Sequence, residues 1–355
     1  MAGLLATLPP YATSLISNGL LFLLIGGMAG SCDAPLLKAK FTTAAGFRGI
    51  LAGLICQFVL LPLLGFIALK FLPQSPPSAI ALLVVTTSPG GGFSGFWCYT
   101  ANADLALSVA MTTASTLVAV VALPLNLALY ITTLYGRTCT IDFANLVLAC
   151  AVVVCAVICG YQLSLHFPQA RNIVSALGQT AGVLLMIFGA LANGSSHEPV
   201  WENSPDWFGA VCLPVLGGLG IAMCLALLIR LPSPQAVAVA IECCYQNTGL
   251  ALTIALSAMP KEDVGEASGV PIVYGVFEIL VIPVFALAAW RLGWTYAPAN
   301  TNVCVAIAGN FQPTQESLLD SKQEALLEGS KKSSGSNSPR PKTTGLKAIE
   351  KKAMV

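Results

Sequence analysis

Long apolar stretches recur along the sequence, each about the length that crosses a lipid bilayer, and short polar connections separate them. Window hydropathy predicts about nine membrane-spanning helices from this pattern. Their predicted bounds are 15–29, 47–72, 78–100, 104–134, 143–165, 174–192, 207–229, 236–258 and 270–292. The pattern therefore predicts an all-α polytopic membrane protein.

The spans divide the chain into three regions. Residues 1–14 are predicted to be an extracellular N-terminus, and residues 15–294 a transmembrane domain. The tail, 295–355, is polar and ends in a stretch rich in Ser, Lys and Pro, so we expect it to be cytoplasmic and largely disordered. The transmembrane domain itself divides into halves at 15–134 and 143–292.

Composition agrees with this class of protein and excludes two others. Of 355 residues, 56% are hydrophobic and only 9% are charged, which excludes a soluble enzyme and a nucleic-acid-binding protein. The two histidines, His166 and His197, fall in loops far from the carboxylates, and no nucleophile motif is evident, so we do not expect an enzyme. Most cysteines lie in apolar stretches without a Cys-x-x-Cys pair, which favours small buried residues over a metal site.

The positions of basic residues predict an orientation. With the N-terminus outside, the short cytoplasmic connections contain Lys38, Lys40, Arg48, Arg171, Arg230 and Arg291, and the external connections contain only Lys70, Arg137 and Lys261. The positive-inside rule favours this orientation, and a plasma membrane is the expected location. Asn193-Gly194-Ser195 is then an external glycosylation sequon.

Two predicted spans carry residues that interrupt a helix. Ser88-Pro89-Gly90-Gly91-Gly92 lies inside the third span, and the eighth contains Glu242, Gln246 and Asn247 near its centre. Each is the next-to-last span of its half. Matched broken helices are typical of transporters with inverted repeats, whose helix ends meet at the midplane. The alternative is a pair of unrelated glycine kinks.

A carboxylate at bilayer depth costs several kcal/mol, so such residues face a bundle interior, a cavity or an ion path. Glu242 is therefore the first candidate for a functional residue. The alternative is a buried polar cluster that only holds helices together.

Several motifs occur in the order and spacing of a known family. They are Gln57-Phe58 with Pro62, Ser88-Pro89-Gly90-Gly91, the stretch 104–109, Met111-Thr112-Thr113, Ser115-Thr116-Leu117, and Glu242 with Gln246-Asn247. In these residues the sequence resembles the bile acid:sodium symporter family, solute carrier family ten, from Gly19 to about Trp294. The resemblance implies an inverted repeat of five helices per half, with the first helix absent here. A panel domain would move against a core domain in which the two broken helices cross.

The resemblance also implies ligands. It places one sodium ion at Ser94, Ser108, Thr112 and Glu242, and a second at Gln57, Glu242 and Gln246 with main-chain oxygens of Cys243 and Tyr245. These oxygen donors suit a hard cation, and Ser108 and Thr112 share a helix face.

Asn247 is expected to face the substrate cavity. Gly95 stands where the family usually has Asn, which leaves the number of sodium ions open and changes the substrate cavity. Glu278, the other embedded carboxylate, is interpreted as a polar contact for helix packing or in the panel domain.

The sequence thus predicts a sodium-coupled symporter of an organic anion, such as a bile-acid-like molecule, a sterol sulfate or a small carboxylate. Its partners are the anion, sodium and the bilayer, with no other cofactor, and the substrate and oligomeric state stay open. One alternative is a proton-coupled or sodium-independent carrier in which Glu242 titrates. Another is a non-transporting scaffold that acts through its tail, which contains Lys-rich patches and Ser338-Pro339.

Overall fold

The computed structural model describes residues 10–30, 40–136, 143–193, 200–260, 262–309 and 311–313, and this part of the chain is built of helices. In chain order they are α1 Pro10–Gly30, α2 Ala44–Ile55, α3 Leu61–Phe71, α4 Pro76–Thr87, α5 Ser94–Thr100, α6 Leu105–Tyr135, α7 Phe143–His166, α8 Arg171–Asn193, α9 Pro205–Leu228, α10 Ser233–Cys244, α11 Thr248–Ala258, α12 Val264–Arg291 and α13 Val303–Ala308. The first nine residues, the sequon after Asn193 and the tail from residue 314 lie outside the described residues.

Within the described part, six continuous helices are long and apolar enough to cross a membrane. They are Tyr11–Gly30, Ala44–Phe71, Leu105–Tyr135, Pro168–Leu191, Pro205–Leu228 and Val264–Arg291. Large apolar side chains such as Leu129 and Val284 are exposed on their outer faces, as expected for helices that face lipid. The all-helical, multi-pass architecture predicted from the sequence is therefore present.

A five-residue π-helical segment, Cys56–Leu60, joins α2 to α3. Pro62 follows it and has no N–H to donate to the Phe58 carbonyl, so the regular hydrogen-bond ladder is broken here. Asn126 on α6 donates instead, from its Nδ2 to the Phe58 carbonyl at 3.0 Å. The segment holds Gln57 in the interior, where its side chain is fully buried.

Both predicted interruptions occur, and the structure brings them into contact. The chain is non-helical between α4 and α5 and again between α10 and α11. The Gly91 N–H donates to the Tyr245 carbonyl at 2.8 Å, and the Asn247 N–H donates to the Pro89 carbonyl at 2.9 Å. Main-chain groups freed from one broken helix are thus satisfied by the other, as burial in a membrane interior requires.

Glycine permits this close approach of the two breaks. A Cβ atom at Gly91 would lie 2.5 Å from the Gln246 carbonyl oxygen, and one at Gly90 would collide with the Glu242 carboxylate. Neither position therefore has room for a side chain.

The first helix packs on α7 and α8 through small residues. A Cβ atom at Gly27 would lie 2.5 Å from Gly178 Cα, and one at Gly160 would collide with the Gly26 carbonyl. Close backbone approach through glycine is a common basis of helix association in membranes. These three helices therefore form one tightly packed group.

Packed structure continues beyond residue 294, the boundary placed on the transmembrane domain, and reaches Gln312. In the C-terminal segment (residues 294–309, 311 and 312), Asn102 Nδ2 donates to the Ala306 carbonyl at 2.6 Å and the Tyr296 N–H donates to the Asn102 carbonyl at 2.9 Å. Gln312 Nε2 donates to the Ala103 carbonyl at 2.7 Å. The segment is therefore fixed to the loop between α5 and α6.

Candidate functional site

The Glu242 carboxylate lies in the interior, 0% exposed, near the end of α10. Its Oε2 accepts a hydrogen bond of 2.7 Å from the Ser108 hydroxyl, and its Oε1 accepts one from the Thr112 hydroxyl. The hydroxyl oxygens of Ser94 and Thr112 lie 3.3 Å apart. The structure therefore brings the four residues expected at the first sodium site into one cluster of oxygen atoms.

Asp104 fixes the position of α6 relative to α10. Its Oδ1 accepts from an N–H in the first turn of α6 at 3.0 Å, and its Oδ2 forms an ion pair with Lys40. Its own N–H donates to the carbonyl of Pro234, in the first turn of α10, at 3.0 Å. Ser108 and Thr112 follow at intervals of four residues and share a helix face, so this register turns both hydroxyls toward α10.

A second group of polar side chains lies around the break between α10 and α11. Gln57 Nε2 donates to the Glu242 carbonyl at 3.1 Å, and Gln246 Nε2 donates to the Cys243 carbonyl at 2.8 Å. The Tyr245 carbonyl accepts from the other broken helix. The side-chain oxygens of Gln57 and Gln246 are buried and accept no hydrogen bond from the described residues. An unpaired buried acceptor costs about 1 to 3 kcal/mol of stability. A cation bound to these two oxygens would remove that cost.

A cavity of about 390 Å³ opens beside Ser94 and Thr112. Its wall also includes Thr113, Tyr99 and Gln179, and none of the described residues that line it is acidic or basic. Ser94 and Thr112 belong both to this wall and to the cluster around Glu242, so the cavity adjoins the cluster directly.

The two residues expected to contact substrate lie in different places. Gly95 lines the cavity, where an added Cβ atom would meet only Leu105, at 3.7 Å. Asn247 is 2% exposed and does not line the cavity. Its Oδ1 accepts from the Leu250 N–H at 2.9 Å, so it caps α11. The structure therefore gives Asn247 a clear role at the start of a helix.

Sequence reasoning missed several polar residues of the cavity wall, among them Tyr99, Ser175 and Gln179. Ser175 and Gln179 are four residues apart on α8, and Gln179 Nε2 donates to the Ser175 hydroxyl at 3.1 Å. Two polar residues at that spacing share one helix face, and this pattern in the sequence could have predicted that they line a cavity. Tyr99 follows the broken segment, and its sequence context carries no such signal.

Glu278 forms the polar contact expected of it, and its partner is the second break. The side chain is fully buried on α12, and its Oε1 accepts from the Gln246 N–H at 2.6 Å. Its other oxygen, Oε2, has no hydrogen-bond partner among the described residues. The carboxylate therefore supports the main chain just before α11.

Comparison with known proteins decides the family. Residues 20–197 match the model of the Sodium Bile acid symporter family. The chain belongs to this family. The matched part contains Ser94, Ser108 and Thr112 and ends before Glu242.

Curated relatives of this symporter family member are similar over most of their length. The ileal sodium/bile acid cotransporter of Homo sapiens is 30% identical over 240 residues, 67% of this chain and 68% of the relative. That of Cricetulus griseus is 31% identical over 248 residues, 69% of each chain. The sodium-dependent organic anion transporter of Homo sapiens is 24% identical over 287 residues, 79% of this chain and 76% of the relative.

Membership of the symporter family confirms two expectations from the sequence. The family consists of transporters, so the chain is not an enzyme. Its relatives and its long apolar helices also show that it is a multi-pass membrane protein.

Proposed function

We propose that the chain is a secondary active transporter that carries an organic anion inward across the plasma membrane together with sodium. The observation that carries the proposal is the buried Glu242 carboxylate, which two broken helices and the hydroxyls of Ser108 and Thr112 surround. The names of its relatives, sodium/bile acid cotransporters and sodium-dependent organic anion transporters, support the same class.

The first sodium ion binds at Ser94, Ser108, Thr112 and Glu242. Both carboxylate oxygens already meet hydroxyl groups there, and rotation of the O–H bonds turns hydroxyl lone pairs toward a cation. Carboxylate and hydroxyl oxygens are suitable ligands for a hard ion such as sodium.

The second sodium ion binds at Gln57, Glu242 and Gln246, with the carbonyls of Cys243 and Tyr245. Both glutamine side-chain oxygens are buried and unpaired in the described structure, which supports this assignment. Each carbonyl already accepts one hydrogen bond and keeps a second lone pair for the ion.

The substrate occupies the 390 Å³ cavity, a size within the roughly 300 to 1,000 Å³ typical of small-molecule sites. Since the described lining offers an anion no basic side chain, the two sodium ions around the single Glu242 carboxylate leave one net positive charge to compensate it. Bile-acid-like molecules, sterol sulfates and small carboxylates are the substrate class. Gly95 widens the wall where an asparagine would narrow it.

Transport proceeds by alternating access in a fold of nine spans, with inverted halves at 15–134 and 143–292. The tightly packed group of α1, α7 and α8 belongs to the panel domain, and the crossing of the broken helices belongs to the core domain. Sodium at the crossing neutralises Glu242 and favours the state that binds substrate. Each net charge that moves inward gains about 2.3 kcal/mol per 100 mV of membrane potential. The N-terminus is outside and the tail is cytoplasmic.

The test is uptake of a tritiated bile salt, a steroid sulfate and a short carboxylate by cells that express the protein. Uptake is compared in sodium and choline chlorides at equal ionic strength. We expect sodium-dependent uptake that Glu242→Ala abolishes while surface biotinylation shows a normal amount of protein. Glu202→Ala, which removes an exposed carboxylate, is the matched control and should transport normally. Sodium-dependent uptake that survives in Glu242→Ala contradicts the proposal, as does wild-type uptake that follows pH and ignores sodium.

A further inference from the structure

The Glu278 carboxylate is a second buried acid near the crossing, and it has no counter-ion in the described part of the chain. It is 0% exposed, and the ion pair found among the described residues joins Lys40 to Asp104 instead. A buried charge without a partner is costly in a membrane protein. A proton or a cation must therefore neutralise it.

The contact with the second break uses only one of the two carboxylate oxygens of Glu278. Oε1 accepts from the Gln246 N–H, which lies two residues before α11 begins. An acceptor is favourable there, because the chain is non-helical between α10 and α11 and a buried N–H needs a partner. A glutamine side chain would supply that acceptor equally well. Oε2 is buried without a partner, so hydrogen bonding in the described structure does not explain why the residue is an acid.

Another buried oxygen atom without a partner lies on the same helix face. Tyr274 precedes Glu278 by four residues and shares its face of α12. It is 0% exposed, and its hydroxyl has no hydrogen-bond partner in the described structure. A carboxylate and a phenolic hydroxyl are oxygen ligands that a hard cation prefers.

The two buried carboxylates have separate surroundings. Glu242 is held by Ser108 and Thr112 on α6, whereas Glu278 contacts the main chain of Gln246 from α12. No hydrogen-bond partner is common to both carboxylates in the described part of the chain. The two groups therefore belong to different hydrogen-bonded clusters.

We propose that Glu278 binds a sodium ion of its own on the α12 side of the crossing, with the Tyr274 hydroxyl as a second ligand. A monovalent ion matches the single carboxylate, whereas calcium takes six or more oxygen ligands. No group of three or more acidic, His or Cys residues that would hold a metal occurs in the described residues. The inference rests on the proposed sodium symport and adds one coupling ion to it.

The experiment counts sodium ions without needing a substrate. Equilibrium binding of radioactive ²²Na⁺ is measured on the purified full-length protein in detergent, and thermal unfolding confirms that each variant is folded. Glu278→Gln keeps an acceptor for the Gln246 N–H and removes the charge, so it should bind one fewer sodium ion per chain than the wild type. Tyr274→Phe removes only the hydroxyl and should weaken one class of sites about tenfold. Glu266→Gln, a carboxylate change at the start of α12, should bind as the wild type does.

The outcomes separate this inference from the proposed function. A wild-type protein that binds no sodium overturns both. Equal sodium counts for wild type and Glu278→Gln overturn the Glu278 site alone, and this is the result expected if a proton neutralises that carboxylate. Glu242→Gln provides the second test, and it remains usable if Glu278→Gln does not fold. The Glu242→Gln protein should still bind one sodium ion. Adding Tyr274→Phe to this variant should weaken binding of that ion, and an unchanged dissociation constant contradicts the inference.

Discussion

Gly90→Ala should weaken sodium binding without replacing any proposed sodium ligand. The glycine lies in the first break, where an added Cβ atom would lie 3.0 Å from both Glu242 Cδ and Gln57 Nε2 and would overlap Glu242 Oε1. Gly95→Ala is the matched control in the same segment, because its Cβ atom would meet only Leu105 at 3.7 Å.

The size of the effect follows from these distances. Non-bonded carbon atoms pack at about 3.5 to 4.0 Å, so the Glu242 carboxyl group must withdraw by at least about 0.5 Å. That movement disrupts its hydrogen bond with Thr112 and displaces a shared ligand of both proposed sodium ions. A hydrogen bond to a charged group contributes about 1.5 to 3 kcal/mol, and about 1.4 kcal/mol is a factor of ten in affinity. We expect sodium to bind Gly90→Ala about 10- to 100-fold more weakly.

Thermal unfolding of the detergent-purified protein in sodium or choline chloride measures this change. Sodium at ten times its dissociation constant stabilises the native state by about 1.4 kcal/mol. At the same concentration, a variant that binds tenfold more weakly gains only about 0.4 kcal/mol. A Gly90→Ala protein that is folded in choline and gains the wild-type stabilisation from sodium would refute the reasoning. Loss of the sodium effect in Gly95→Ala would also refute it.

Two further predictions concern stability. Asp104→Asn keeps a helix cap and removes the ion pair with Lys40, in which the Asp104 side chain is only 4% exposed and that of Lys40 20%. It should lower the free energy of unfolding by about 1.5 to 3 kcal/mol. Asp104→Ala also removes the cap and should lower the free energy of unfolding by about 1 kcal/mol more. Equal melting temperatures for the two variants would contradict this account. Asn126→Ala leaves the Phe58 carbonyl without its side-chain donor and should lower the free energy of unfolding by about 1 to 3 kcal/mol. The decrease should be the same in sodium chloride and in choline chloride. An unchanged unfolding midpoint would show that the donor adds no stability.

The two breaks could be predicted from the sequence because their causes are local. Pro89 and the glycines after it cannot continue a regular helix, and Glu242 with Gln246 is too polar for a lipid-facing span. The four-residue spacing of Ser108 and Thr112 likewise places both on one helix face wherever that helix lies.

Contacts between distant segments could not be predicted in the same way. The bond from the Gln246 N–H to Glu278 joins residues 32 positions apart and depends on how α12 is rotated. Asn126 reaches Phe58 only because Pro62 frees that carbonyl and α6 lies beside it. The rotation of a helix about its axis and its depth in the membrane are set by packing against all its neighbours. The sequence of that helix alone does not specify them.

Asn247 shows how one residue type can support two interpretations. The resemblance to the symporter family implied that it faces the substrate cavity. Asparagine is also a preferred N-cap, and in the structure it caps α11 by accepting from the Leu250 N–H. Reading the break as a helix start would have predicted the cap.

The C-terminal segment imposes an order on biosynthesis. Asn102 bonds to a residue 204 positions later in the chain, and Ala103 bonds to one 209 positions later. At about 5 to 20 residues per second, a ribosome needs about 10 to 40 s to make the intervening chain. The loop that links α5 to α6, the helices that carry Ser94 and Ser108, therefore remains incomplete while most of the protein is inserted. Among the described residues, the contacts with this loop are completed only after the C-terminal segment has left the ribosome.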